Sequence, residues 1–165
     1  MGTFSNNNLE TPTDVDIAIV VSRFNEKITS ALLDGALNAF DKAGVARDKI
    51  DVHYVPGSLE LAVVAKAAAV RGADAVVCLG AVIRGDTSHY EYVCNTTALS
   101  IADVATSTGV PCIFGVLTVD NESQAQERIG GAHGHKGEEA ATTALETIAT
   151  LRSITRPKAT TGFTS

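Results

Sequence analysis

No two of the 13 lysines and arginines are adjacent anywhere in the 165 residues, and 19 aspartates and glutamates outnumber them, giving a formal net charge of −6. Without a basic cluster there is no electrostatic footprint for a phosphate backbone, so nucleic acid is excluded as an expected partner. Long apolar runs are missing too: none approaches the ~20 residues needed to cross a bilayer. The opening MGTFSNNNLE has neither the basic region nor the apolar core of a signal peptide. A cytoplasmic protein without membrane association is expected, and the glycosylation-like triplets at Asn95 and Asn121 are then chance matches. CxxC pairs are absent. Cys78, Cys94 and Cys112 are odd in number and lie in or beside apolar stretches, so they read as buried, reduced thiols and not as a disulfide framework or a metal site.

What is present suits one soluble domain with a sizeable core: 45% hydrophobic and 19% charged residues, with no internal repeat. The domain is expected to fill residues 1–165, with polar, frayed ends over about 1–13 and 156–165. DIAIVVSRF (Asp16 to Phe24) is a near-continuous β-branched run, the pattern of a parallel strand covered on both faces. Helical spacing follows from Thr29 to Gly44, then a strand IDVHYV, then an alanine-rich helix from Leu59 to about Arg71 that Gly72 can end in a left-handed cap. DAVVCLGAVI gives a third strand, Ser88 to about Ser107 a helix, and CIFGVLTV a fourth strand. A short helix over Ser123 to Ile129, a glycine-rich connector GGAHGHKG and a final helix from Glu138 to about Ile154 complete the chain. The alternation predicts an α/β three-layer sandwich around a four-stranded parallel sheet. Ligands of such sheets bind beyond the carboxyl ends of the strands, here Phe24-Asn25, Gly57 to Glu60, Ala81 to His89 and Leu117 to Asn121.

GAVIRGDTSHY, Gly80 to Tyr90, resembles a nucleotide-binding turn but lacks the lysine such a loop uses. A strand-to-helix turn with Gly85 in it offers unpaired backbone N–H groups to an anion, with the Thr87 hydroxyl as an extra donor. A second reading is equally physical: Ser88-His89-Tyr90-Glu91 fits a capping box, which makes the turn only a well-capped helix start. His89 is a solvated surface histidine or, beside an anion, a group able to give and take protons near neutral pH. Glu60 either serves the dipole of its helix or holds a polyol hydroxyl or amine beside Gly57-Ser58. Phe24 either packs in the core or stacks on a flat heterocycle. Arg128 and Lys136 flank the glycine-rich IGGAHGH and read as surface charges or anion ligands. Phe114 falls too early in its strand to reach the carboxyl rim of its own sheet, so a neighbouring subunit must present it if it touches ligand.

Five strings, SRFNEKIT, VPGSLELA, GAVIRGDTSHYEYV, FGVLTVDNESQAQER and GHKGEEAA, occur in one order between about Asp16 and Arg152. Together they resemble the 6,7-dimethyl-8-ribityllumazine synthase family. The resemblance implies a flavodoxin-like topology and condensation of 5-amino-6-(ribitylamino)uracil with 3,4-dihydroxy-2-butanone 4-phosphate, releasing phosphate and water without metal or organic cofactor. It implies that Phe24 stacks on the pyrimidine, with Asn25 beside it. Ser58, Leu59 and Glu60 meet the ribityl chain, and Ala81, Val82 and Ile83 line the ring pocket. Gly85, Asp86 and Thr87 would hold the phosphate, His89 would be the general acid and base, and Phe114, Arg128 and Lys136 would complete the site from an adjacent subunit. Arg128 there supplies positive charge for the phosphate.

Family members are pentamers, some of them packed into sixty-subunit shells. A short Arg128 to Lys136 segment resembles shell formers, whereas Pro12 opposes strand addition by the N-terminal segment because it lacks an N–H. Two other functions fit parts of the pattern: a non-catalytic lumazine- or flavin-binding module, and an archaeal-type riboflavin synthase of the same fold.

Overall fold

The computed structural model describes residues 9–155, so most of the polar ends, 1–8 and 156–165, lie outside the described residues. Strand β1 is Ile17–Ser22, followed by helix α1, Glu26–Lys42, strand β2, Ile50–Val55, and helix α2, Leu61–Arg71. Then come β3, Ala75–Ile83, α3, His89–Thr108, and β4, Cys112–Val119. Helix α4, Glu122–Gln126, a hairpin of β5, Ile129–Gly131, and β6, Gly134–His135, and helix α5, Lys136–Thr155, follow. The four long strands are parallel in the order β2-β1-β3-β4, the four-stranded α/β sheet the sequence predicts.

Alternate residues of the strands face opposite helical layers, as a period of two requires. Ile17, Ile19, Val21, Val77 and Leu79 pack under α1 and α5, against Leu32, Phe40 and Ala144. Ala18, Val20, Val76 and Cys78 pack on the other face under α2 and α3, against Leu61, Ala65 and Ile101. Burial on both faces is why β1 reads as a continuous apolar run. Small residues let the helices approach. A Cβ at Gly137 of α5 would lie 2.0 Å from the carbonyl oxygen of Leu32 in α1, so those helices touch backbone to backbone.

Several boundaries differ from expectation for identifiable reasons. Helix α1 begins at Glu26, not Thr29, because Asn25 adopts a left-handed conformation (φ 60°) and its carbonyl accepts from Ile28 and Thr29. Helix α4 stops at Gln126, and Ile129 enters the hairpin instead. The glycine-rich connector is that hairpin: Gly130 (φ 111°) and Gly134 (φ 75°) supply left-handed turns that other residues adopt only with strain. The same chain-reversing geometry lets α5 begin at Lys136, two residues before the expected Glu138. Of the thiols only Cys78 is fully buried, and burial pushes its pKa far up; Cys94 and Cys112 are half-buried, and burial raises the latter to about 11. Asn121 is a helix cap, its side chain accepting from the Gln124 N–H. No helix among the described residues is long and apolar enough to cross a membrane.

Candidate active site

A cavity of about 350 Å³ opens at the carboxyl ends of β1 and β3 and the start of α3. Its walls come from separate segments. Ala81, Val82 and Ile83 end β3 and give an aliphatic floor. Ser58, Leu59 and Glu60 form a 3-10 turn ahead of α2. Ser58 is 6% exposed and sits against β3 because Gly80 has no side chain; a Cβ there would lie 2.8 Å from the Ser58 hydroxyl. Phe24 is 70% exposed at the end of β1, a position in which its ring packs against little of its own chain. Gly85, Thr87 and His89 form the third wall.

Glu60 belongs both to its own turn and to the cavity wall. One carboxylate oxygen accepts from the Gly57 N–H at 2.8 Å, closing the turn, and the residue lines the cavity. Asn25 does not line it; its side-chain amide donates to the Ala81 carbonyl at 2.9 Å and so ties the end of β1 to the cavity floor. Asp86 is also absent from the wall and is exposed. Tyr90 and Val93, which sequence reasoning missed, do line the cavity. A signal was available for Val93, which stands four residues after His89 and three after Tyr90 on α3, whereas Tyr90 is adjacent to His89 and carried none. Burial raises the pKa of the Tyr90 phenol, which keeps it neutral.

The turn before α3 is not capped as a capping box. Ser88 makes no side-chain cap bond, and Glu91 is drawn aside into an ion pair with Arg84. The His89 N–H donates to the Thr87 hydroxyl at 3.3 Å. Among the described residues the N–H groups of Gly85, Asp86, Thr87 and Ser88 donate to no protein group. Four donors at the mouth of a twenty-residue helix, with the dipole behind them, suit a small dianion.

Phe114, Arg128 and Lys136 are not at this cavity. They line a second concavity of about 520 Å³ along β4, the outermost strand on that side of the sheet. Phe114 is the third residue of β4 and pairs in register with Cys78, five residues short of the strand's end. The hairpin gathers the two cations: the Lys136 N–H donates to the Arg128 carbonyl at 2.8 Å. Lys136 is neutralised by Glu139, at 2.7 and 2.9 Å. Arg128 spends one N–H on the Gln124 carbonyl at 2.8 Å, and its nearest carboxylate, Glu127, is 3.8 Å away. The other donors of its guanidinium fork are therefore open.

A parallel sheet with an amide-lined helix mouth, an aliphatic slot and an exposed ring at its carboxyl rim is the build of an α/β enzyme with small-molecule substrates. Residues 14–152 match the family model of 6,7-dimethyl-8-ribityllumazine synthase, and the chain belongs to that family. It is a transferase of riboflavin biosynthesis that condenses 5-amino-6-(ribitylamino)uracil with 3,4-dihydroxy-2-butanone 4-phosphate to the lumazine, releasing phosphate and water. Small-molecule substrates and assembly into oligomers go with that membership.

Proposed function

We propose that the working site is composite, with the cavity of one subunit facing the β4 concavity of the next. The observation that carries this is the separation of the two residue sets: the amide cradle and His89 line one hollow, while Phe114 and Arg128 line another. In this reading Phe24 stacks on the pyrimidine, with Asn25 holding the floor beneath it. Ser58, Leu59 and Glu60 bind the ribityl chain, and Ala81, Val82 and Ile83 line the ring slot. The amides from Gly85 to Thr87 hold the phosphate, with Asp86 contributing its N–H and not its carboxylate. Arg128 of the partner subunit adds the positive charge, and Phe114 and Lys136 of the partner subunit close the pocket.

The chemistry then needs little beyond orientation and proton transfer. The primary amine of the uracil condenses with the ketone to an imine, losing water. His89 takes the proton from the carbon between the imine and the phosphate-bearing carbon, and phosphate leaves to give an enol. A proton delivered to the terminal carbon converts the enol to a ketone, and the ribitylamino nitrogen attacks that carbonyl carbon and closes the ring, its oxygen leaving as a second water. Holding both substrates in line contributes several kcal/mol to lowering the barrier.

The assembly in this proposal is a cytoplasmic homopentamer of single-domain chains spanning residues 1–165. Val63 and Val70 on α2 and Tyr92 and Leu99 on α3 are each about 70% exposed, an apolar surface of the kind subunit contacts cover. The tight β5–β6 hairpin favours a sixty-subunit shell. The mass by light scattering separates shell, pentamer and monomer, and a monomer with full activity would contradict the composite site. Arg128→Gln should raise KM for the butanone phosphate by roughly 10- to 100-fold, the scale of a charge-assisted hydrogen bond, with KM for the uracil nearly unchanged. Equal shifts in both constants would remove Arg128 from the phosphate.

A further inference from the structure

We propose that Arg84 is a positioning residue that holds the Glu91 carboxylate off the phosphate cradle. The inference rests on the reading that the amides of Gly85 to Thr87 and the neighbouring Ser88 bind the substrate phosphate.

Glu91 is the third residue of α3 and Ser88 is its cap, the spacing at which a glutamate reaches back to the N–H of the cap residue. That bond would place a carboxylate on one of the four amides a phosphate needs, and its charge at the mouth of the site. The sequence thus encodes two exclusive states of one turn, a self-capped helix and an open anion cradle. Arg84 selects the second. Its backbone N–H is fixed to the Val119 carbonyl at 2.9 Å. Its guanidinium bonds Glu91 through Nη1 and Asp120 Oδ1 through Nε at 3.0 Å, and lies 4.1 Å over the Tyr90 ring. Asp120 and Tyr90 aim the fork; Glu91 is what it restrains.

A merely structural role fits less well. The side chains of Arg84, Glu91 and Asp120 are 43%, 47% and 62% exposed, and exposed ion pairs contribute little to stability. A Cβ at Gly85 would meet nothing within 4 Å, and residues 84–89 are all exposed, so packing holds this turn only weakly. Releasing Arg84 therefore changes the turn and not the core.

The test measures initial rates of the full-length, assembled enzyme with each substrate varied in turn. Arg84→Gln should raise KM for the butanone phosphate about tenfold, as expected when an anion must displace a carboxylate from the same amide. KM for the ribitylaminouracil and the melting temperature should stay nearly constant. The double variant Arg84→Gln/Glu91→Ala should recover most of the phosphate-substrate affinity, because the competing carboxylate is gone. The proposal is overturned by an unchanged KM in Arg84→Gln, by parallel rises in both constants, or by a defect that persists in the double variant. Asp86→Pro, which removes one of the four N–H donors at an exposed position off the cavity wall, separates the two levels. If it raises KM for the phosphate substrate and Arg84→Gln does not, only the restraint is wrong; if it leaves that KM unchanged, the phosphate site itself is misplaced and the proposal falls with it.

Discussion

His89→Ala is expected to lower kcat by about 10²- to 10⁴-fold, the usual scale of general acid–base catalysis, while KM for both substrates changes little. The imidazole stands at the first residue of α3, next to the amide cradle, and lines the cavity without closing it. Its side chain is exposed, so truncation leaves no hole in the core and no buried partner orphaned. Phosphate loss takes a proton from one carbon and enol tautomerisation adds a proton to its neighbour, and one imidazole within reach of both can remove the first and supply the second. A variant that loses kcat and keeps KM has lost an interaction made only in the transition state. Full turnover in His89→Ala would assign the proton transfers elsewhere, with the Tyr90 phenol the nearest alternative on the same helix.

Mixing two impaired variants should restore activity, assayed at butanone phosphate well below the KM of the Arg128 variant. His89→Ala keeps Arg128, and Arg128→Ala keeps His89, so a site built between two subunits regains both groups when each variant supplies one half. If the halves come from neighbours in a closed ring, random co-assembly of equal amounts leaves about a quarter of the sites intact, and about a quarter of wild-type activity returns. Sites contained within single chains would recover none, because every chain carries one lesion. The variants must be unfolded and refolded together, since exchange between finished assemblies is slow. The residue sets argue for recovery: Phe114 opens toward solvent along an outermost strand, in a concavity that shares no residue with the one holding His89.

Much of the fold was legible because β-branched runs mark the strands, even β2, which is largely exposed. β2 and β4 begin and end where IDVHYV and CIFGVLTV do, and Gly72 stops α2 with φ 116°, the left-handed cap its position predicts. The hairpin was not legible, since GGAHGHKG lacks β-branched alternation and its geometry comes from two left-handed glycines. The start of α1 was hidden because Asn25 enters a left-handed conformation while its amide bonds Ala81, 56 residues away in sequence. At the cavity, the strand-end rule points to the segments that carry Phe24, Ser58, Glu60, Gly85 and His89, which line one rim, while Asn25 and Asp86 of the same segments do not line the wall. The capping box was the natural local reading of Ser88 to Glu91. What defeats it is Arg84, whose second carboxylate partner, Asp120, is 36 residues distant and invisible to any local pattern.

The decisive measurement is a crystal structure with a phosphonate analogue of the butanone phosphate bound. The phosphonate oxygens should accept from the Gly85 to Ser88 amides, with the His89 ring beside the adjacent carbon and Arg128 of the partner subunit on the far side. A phosphonate bound elsewhere, or an amide mouth filled by Glu91 with His89 turned to solvent, would contradict the central claim.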